Sequence, residues 1–294
     1  MERNTARLQA LAAAVLFSTG GAGIKVESFT AAQVSAVRSG IAALALFLWL
    51  RGRIRWTSKA AAASVVYAAT LSLFVGATKL TTAANAIFLQ STAPLYLLLL
   101  APLVLHERVR RREVIYLAVV AAGMVFCFIG RPAPTSTASN PALGNWLAIA
   151  SGLAWALTLL TLRSIGREDH DNDTTVAAVV AGNALACLAA LPFALPMPRG
   201  TTVEWSTLAY LGVFQIGLAY VCLSSAIRRL PALEISLLLL LEPVLNPVWT
   251  WIIRHEEPGR WTILGGAAIV GATMIKLLVD ARRPEPEVDS PLTS

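Results

Sequence analysis

Ten blocks of this sequence are each long and apolar enough to cross a bilayer. They run over about 8–24, 31–50, 60–78, 81–104, 114–130, 143–162, 174–195, 205–226, 231–253 and 261–279. A helix needs roughly 20 mostly apolar residues to traverse the hydrocarbon layer. The blocks are too long for the strands of an outer-membrane barrel and lack their alternation. The chain therefore reads as an all-α polytopic membrane protein with ten transmembrane helices. Its composition points the same way. Of 294 residues, 56% are apolar and only 14% charged, where soluble domains carry about 25% charge. That excludes a soluble enzyme and a disordered chain. The first block lacks a small-x-small cleavage site, and the next span follows closely, so it reads as a retained helix and not a signal peptide. Cys127, Cys187 and Cys222 all lie inside spans and read as buried structural thiols.

The basic residues set the orientation. With the N-terminus inside, 17 lysines and arginines fall on inner segments, including Arg51, Arg53, Arg55 and Lys59, and Arg108, Arg110, Arg111 and Arg112. Six fall on outer loops: Lys25, Lys79, Arg131, Arg199, Arg254 and Arg260. This is the positive-inside pattern of a bacterial-type inner membrane protein with both termini cytoplasmic. The net charge of +7 is then a topology device facing anionic lipid, and no nucleic-acid partner is expected.

A linker rich in Pro, Ser and Thr (132–142) sits at the midpoint and separates five spans from five. Shifting the first half by 149 residues places Ala83 on Ala232, Pro94 on Pro243, His106 on His255 and Glu107 on Glu256. With a one-residue gap Gly123 also meets Gly271. An odd number of spans per half forces the second copy into the membrane upside down. The expected organisation is a first five-helix repeat (1–131), the linker, an inverted second repeat (143–280) and a polar tail (281–294). Inverted repeats are typical of secondary transporters, which bind substrate near the midplane between the halves.

The repeated A-x(10)-P-x(11)-H-E pattern, the G-A-T-K segment (Gly76–Lys79) and the G-G-A-A-I-V-G run (Gly265–Gly271) resemble the drug/metabolite transporter superfamily in its EamA-type branch. The resemblance covers about 8–279. It implies ten helices, a central cavity between spans one to four and six to nine, and peripheral fifth and tenth spans. L-F-S-T-G-G-A-G (Leu16–Gly23) and Trp155 further resemble the aromatic amino-acid exporter branch.

Polar residues inside spans are costly and mark function first. Glu242, just before Pro243 in span nine, costs about 2.5–3.5 kcal/mol at mid-bilayer on insertion scales. It reads either as a substrate or proton site or as a cap on carbonyls freed by Pro243 and Pro247. Arg38 reads equally as a contact for a substrate carboxylate or as structural. Lys79 reads as a cationic rim or a snorkelling side chain. The other cavity candidates are Phe17, Ser18 and Thr19 in span one; Tyr67, Phe74 and Thr78 on one face of span three; Asn85, Phe88 and Thr92 in span four, with Tyr96 continuing the stripe; Trp155 and Thr158 in span six; and Gln215 and Tyr220 in span eight. Ordinary helix packing is the alternative for each. Gly20, Gly21, Pro94, Pro243 and Pro247 are hinge candidates. Trp49, Trp56, Trp146, Trp205 and Trp261 lie near span ends as interfacial anchors.

His106–Glu107 begins like a zinc-protease motif, but Arg110 stands where the second His belongs, and Gly259 does so in the second copy. The pair is expected to end a helix and pin a loop. No metal, cofactor or catalytic set is expected, and no phosphate-binding loop for ATP is present in the sequence. The expected activity is alternating-access transport of small metabolites across the inner membrane by a monomer. Aromatic and other neutral amino acids lead. Other small solutes, drugs or lipid handling are the alternative.

Overall fold

The computed structural model describes residues 2–26, 28–93, 95–96, 111–129, 138–166, 173–227 and 238–281. Their regular elements are all helices, with no strand among the described residues. In chain order the helices are α1 (Glu2–Ser18), α2 (Gly20–Ile24), α3 (Ala31–Trp49), α4 (Ser58–Leu80), α5 (Ala83–Gln90), α6 (Arg111–Ile129), α7 (Pro141–Gly166), α8 (Asp173–Ala194) and α9 (Thr202–Tyr210). A π-helical segment (Leu211–Leu218) then continues into α10 (Ala219–Ile227), followed by α11 (Leu241–Arg254) and α12 (Arg260–Ala281).

Among the described residues, five helical stretches are long and apolar enough to cross a membrane: Ala31–Trp49, Ser58–Leu80, Pro141–Leu162, Thr174–Ala194 and Thr202–Ala226. Other apolar blocks are interrupted. The first breaks at Thr19, between α1 and α2, and the fourth leaves helical geometry at Ser91–Thr92. There the Ser91 and Thr92 hydroxyls donate to the carbonyls of Ile87 (2.7 Å) and Leu89 (2.6 Å). Hydroxyls of this kind satisfy backbone groups that lipid cannot. Large apolar side chains such as Leu48, Val65, Leu188, Phe193 and Ile275 are exposed, a surface suited to lipid and unsuited to water.

Helix starts are fixed by side-chain caps. Thr30 and Thr201 form capping boxes with Gln33 and Glu204, and Thr57 and Thr82 cap α4 and α5. Each satisfies orphan N–H groups at a helix end. The Glu204 carboxylate also accepts from the Ser28 backbone N–H (2.9 Å) and hydroxyl (3.0 Å), which ties α9 to the loop before α3.

Helix packing interleaves the two halves of the chain. α4 packs along α7 and α8, α3 along α8 and the π-helical segment, and α6 along α12. α1 packs along α10 and α11, while α5 meets α7, α11 and α12. Small residues allow the closest crossings. A Cβ on Gly123 would lie 2.9 Å from the Gly265 carbonyl, and one on Gly265 would lie 2.5 Å from the Gly123 carbonyl. Gly271, the residue aligned with Gly123 in the sequence repeat, has nothing within 4 Å of its Cβ direction. Cys127 is buried, whereas Cys187 and Cys222 are only half-buried, and all three are free thiols.

Candidate functional site

Midway along α3, one helical face carries three buried hydrogen-bonding side chains. Ser35, Arg38 and Ser39 are 3%, 1% and 0% exposed, and the spacing of three and four residues puts them on one side of the helix. Among the described residues, the hydroxyls of Ser35 and Ser39 and the Nε and Nη2 groups of Arg38 have no hydrogen-bond partner. Buried polar groups are nearly always satisfied, so such a cluster calls for a ligand or water. All four can donate, and together they suit an anion.

Aromatic residues close around this face. The Arg38 guanidinium lies within electrostatic range of the Tyr67 and Tyr220 phenols. The two rings meet edge to face at 5.3 Å, and Phe17 packs on Tyr220 in the same manner at 5.2 Å. Asn183 of α8 donates to the Tyr67 hydroxyl (3.4 Å), and its Oδ1 is buried without a partner. Glu242 is half-buried in the first turn of α11, within electrostatic range of Tyr220. The site thus draws on α1, α3, α4, α8, α10 and α11.

Close backbone approach builds it. A Cβ on Gly182 would fall 2.5 Å from the Tyr67 ring, and one on Gly212 would fall 2.9 Å from the Arg38 carbonyl. Gly212 lies in the π-helical segment, and π-bulges recur at functional sites. Gly20 and Gly21 admit the amides of Gln215 and Asn246, since a Cβ on either would stand 3.0 Å from Gln215 Nε2 or 2.3 Å from Asn246 Oδ1. Both amide side chains are buried and retain unpartnered polar atoms. Their close packing makes Gly20 and Gly21 contact residues beside the helix break at Thr19. Pro243 is the third residue of α11, a position in the first turn where Pro is tolerated, so it starts this helix and puts no kink inside it. Pro247 lies inside α11, which stays helical through it. Pro94, and with it His106 and Glu107, lies outside the described residues.

Other residues singled out in the sequence sit away from this cluster. Phe74 and Phe88 belong to a separate apolar core with Ile24, Val75 and Ile269. The Thr78 hydroxyl donates to the Phe74 carbonyl (2.9 Å), and Thr158 shares a hydrogen bond with Thr70 (3.1 Å). Asn85 donates to the Cys127 carbonyl (3.1 Å) and to Asn145 (3.2 Å), which joins α5, α6 and α7. Ser18 accepts from Trp249 Nε1 (2.9 Å), and Thr19 shares a hydrogen bond with Tyr210 (3.3 Å). Trp155 is half-buried. The Lys79 ammonium donates to the Val26 and Phe29 carbonyls. It is a strut for the loop before α3 and not an open cationic rim. Trp49, Trp56, Trp146 and Trp261 are exposed near helix ends, while Trp205 is half-buried against Phe29.

A second charged cluster closes the end of the molecule near α2. Lys25 Nζ lies 2.6 Å from Glu256 Oε2, with side chains 2% and 8% exposed. Lys25 also donates to the Thr81 carbonyl (2.8 Å), and Glu256 Oε1 accepts from the Ala83 N–H at the start of α5 (2.7 Å). Arg254 donates to the Ala22 carbonyl (3.1 Å). Burial lowers the Lys25 pKa, while the Glu256 carboxylate and its hydrogen bond push the other way. His255 ends α11 in the left-handed region (φ 51°), which turns the chain so that Glu256 reaches α5. Ion pair and backbone bonds together join the ends of α2, α5 and α11.

Known proteins match this chain over nearly its whole length. The EamA-like transporter family matches residues 4–129 and 142–278. The pseudopaline exporter CntI of Pseudomonas aeruginosa is 28% identical over 277 residues, covering 90% of this chain and 93% of that protein. The threonine/homoserine exporter RhtA of Salmonella typhimurium is 28% identical over 178 residues, covering 60% of this chain and 58% of that protein. A crystal structure at 20% identity superposes with a TM-score of 0.59 over 95% of this chain and 98% of the other, a likeness of fold alone. The chain belongs to the EamA-like transporter family of the drug/metabolite transporter superfamily, as an integral membrane protein.

Proposed function

We propose that this protein exports small polar metabolites, neutral and aromatic amino acids first among them, by alternating access between two inverted five-helix repeats. The observation that carries this reading is the buried, unpartnered Arg38 face of α3, walled by Tyr67, Tyr220 and Phe17. A guanidinium with free N–H groups beside two serine hydroxyls suits a carboxylate, and the rings suit an apolar or aromatic side chain. The exporters CntI and RhtA support export of small molecules. The inner membrane, with both chain ends on its cytoplasmic side, is the expected location.

The packing supports the repeat. Number the apolar blocks one to ten and exchange each with the block five places on. The contact of α4 with α7 then becomes that of α1 with α10, and α4 with α8 becomes α3 with the π-helical segment. α5 with α7 becomes α1 with α11, while α3 with α8, α5 with α11 and α6 with α12 map onto themselves. The helix break at Ser91 and the turn at Leu240 are also 149 residues apart. α3 and α8 meet where Gly40 lies against Cys187, so Arg38 stands close to the pseudo-two-fold axis, where transporters of this build bind substrate. The test is counterflow of labelled phenylalanine, tryptophan and threonine in proteoliposomes. Saturable exchange above that of empty liposomes is expected. Exchange equal to empty liposomes for all three would refute the amino-acid assignment.

A further inference from the structure

We propose that Asn246 and Gln215 form a second subsite, which takes the neutral hydrogen-bonding group of a solute's side chain, a hydroxyl or a carboxamide. This inference rests on the amino-acid reading given above and narrows it to a class of side chain. The two amides come from the second half of the chain, on α11 and on the π-helical segment. They meet consecutive residues of α2. A Cβ on Gly20 would stand 3.0 Å from Gln215 Nε2, and one on Gly21 would stand 2.3 Å from Asn246 Oδ1 and 3.0 Å from the Ala83 side chain. Asn246 is 0% and Gln215 6% exposed. Among the described residues, Asn246 Oδ1 and Nδ2 and Gln215 Oε1 have no hydrogen-bond partner. Amides that hold membrane helices together do so by bonding across them. Here both ends of the Asn246 amide are left over, and an unmade buried hydrogen bond is costly.

The first apolar block orders the neighbours of this pair. Phe17 packs on Tyr220, Gly20 faces Gln215, Gly21 faces Asn246, and Lys25 pairs with Glu256. Along the chain the amides therefore follow the aromatic wall of the Arg38 site and precede the ion pair. Trp249, three residues past Asn246, donates to the Ser18 hydroxyl (2.9 Å) and fixes α11 against α1. An amide carries no net charge and offers N–H donors and a carbonyl acceptor together. It cannot neutralise a carboxylate or an ammonium. A hydroxyl or a second amide both donates and accepts, so it can satisfy Oδ1 and Nδ2 at once. An aliphatic side chain of the same size leaves them orphaned, and sites of that kind reject the analogue that lacks the polar group. The Arg38 face then takes the carboxylate, and the amides read the side chain.

The test is competition in the counterflow assay between side chains of similar size. Threonine is compared with valine, which has a methyl in place of the hydroxyl, and glutamine with methionine, which has no amide. Wild-type protein should favour the polar member of at least one pair at least about tenfold, a factor worth about 1.4 kcal/mol. Asn246→Leu, which matches the amide in shape, should erase that preference, and Gln215→Leu should reduce it. Asn246→Leu should also keep or raise Tm in detergent, because it removes an unpaired polar group, whereas an amide bonded within the protein would be missed. No preference in either pair with wild type would overturn the proposal alone and leave amino-acid transport standing. So would a tenfold preference retained by Asn246→Leu, or a Tm lowered by that substitution. Absence of exchange with every amino acid would overturn the amino-acid reading, and this proposal with it.

Discussion

In the proposed orientation, breaking the Lys25–Glu256 ion pair should open the outer end of the transporter. The pair is almost wholly buried, at 2% and 8% side-chain exposure, with 2.6 Å between Nζ and Oε2. Removing one partner of a buried pair costs about 3–5 kcal/mol, because the other charge is stranded. The contacts span α2, α5 and α11, elements from both halves of the chain. In the alternating access proposed above, these contacts belong to the conformation closed at this end, so their loss is expected to fall on that conformation. At about 1.4 kcal/mol per tenfold, even 3 kcal/mol shifts the equilibrium by on the order of a hundredfold. Glu256→Gln keeps an acceptor for the Ala83 N–H and removes the charge, so it should recover part of that cost. The assay is alkylation of Ala84→Cys, a position 3% exposed and next in sequence to Ala83, whose N–H meets Glu256. An impermeant maleimide is added from outside, with Cys127, Cys187 and Cys222 replaced by serine. Labelling should accelerate at least about tenfold in Glu256→Gln and in Lys25→Met. It should fall back toward the parent in the double variant, where no charge is stranded. Equal rates in all four proteins would refute the lock.

Other expectations follow from the same geometry. Gly182→Ala places a methyl 2.5 Å from the Tyr67 ring and should cost about 1–3 kcal/mol, seen as a lowered Tm in detergent and reduced amino-acid exchange. Gly212→Ala pushes the π-helical segment off Ile41 and the Arg38 carbonyl; exchange should fall while α3 keeps its helicity by circular dichroism. Arg38→Lys should lose most exchange, because an ammonium cannot reproduce the planar fork of a guanidinium. Retained wild-type exchange would show that this side chain does not meet the substrate.

The sequence was informative where a polar residue interrupts an apolar run. Arg38, Tyr67, Tyr220 and Glu242 stand out in this way; the structure puts Phe17, Tyr67 and Tyr220 in ring contact, with Arg38 and Glu242 in electrostatic range of Tyr220. Asn183 and Asn246 carry the same signal, more faintly, as lone amides in apolar segments. Ser35 and Ser39 flank Arg38 at helical spacing, which a search along the α3 face would have found. Pairing between distant segments was beyond reach. Lys25 and Glu256 come from opposite ends of the chain, and no periodicity announces their contact. Lys79 looked like a charge at a rim because a sequence does not show which carbonyls face an ammonium. The π-helical segment has no periodic signature in the sequence that would set it apart from the α-helices on either side.

The claim that the Arg38 face of α3 lines the translocation path is tested most directly by a cysteine at Ser39, in the background without native thiols. The position is 0% exposed, with an unpartnered hydroxyl, one residue from Arg38. A small methanethiosulfonate reagent should modify Ser39→Cys during transport cycling, and a transported amino acid at saturating concentration should slow that modification at least about tenfold. Modification that ignores a transported amino acid, or none while exchange proceeds, would place the path elsewhere.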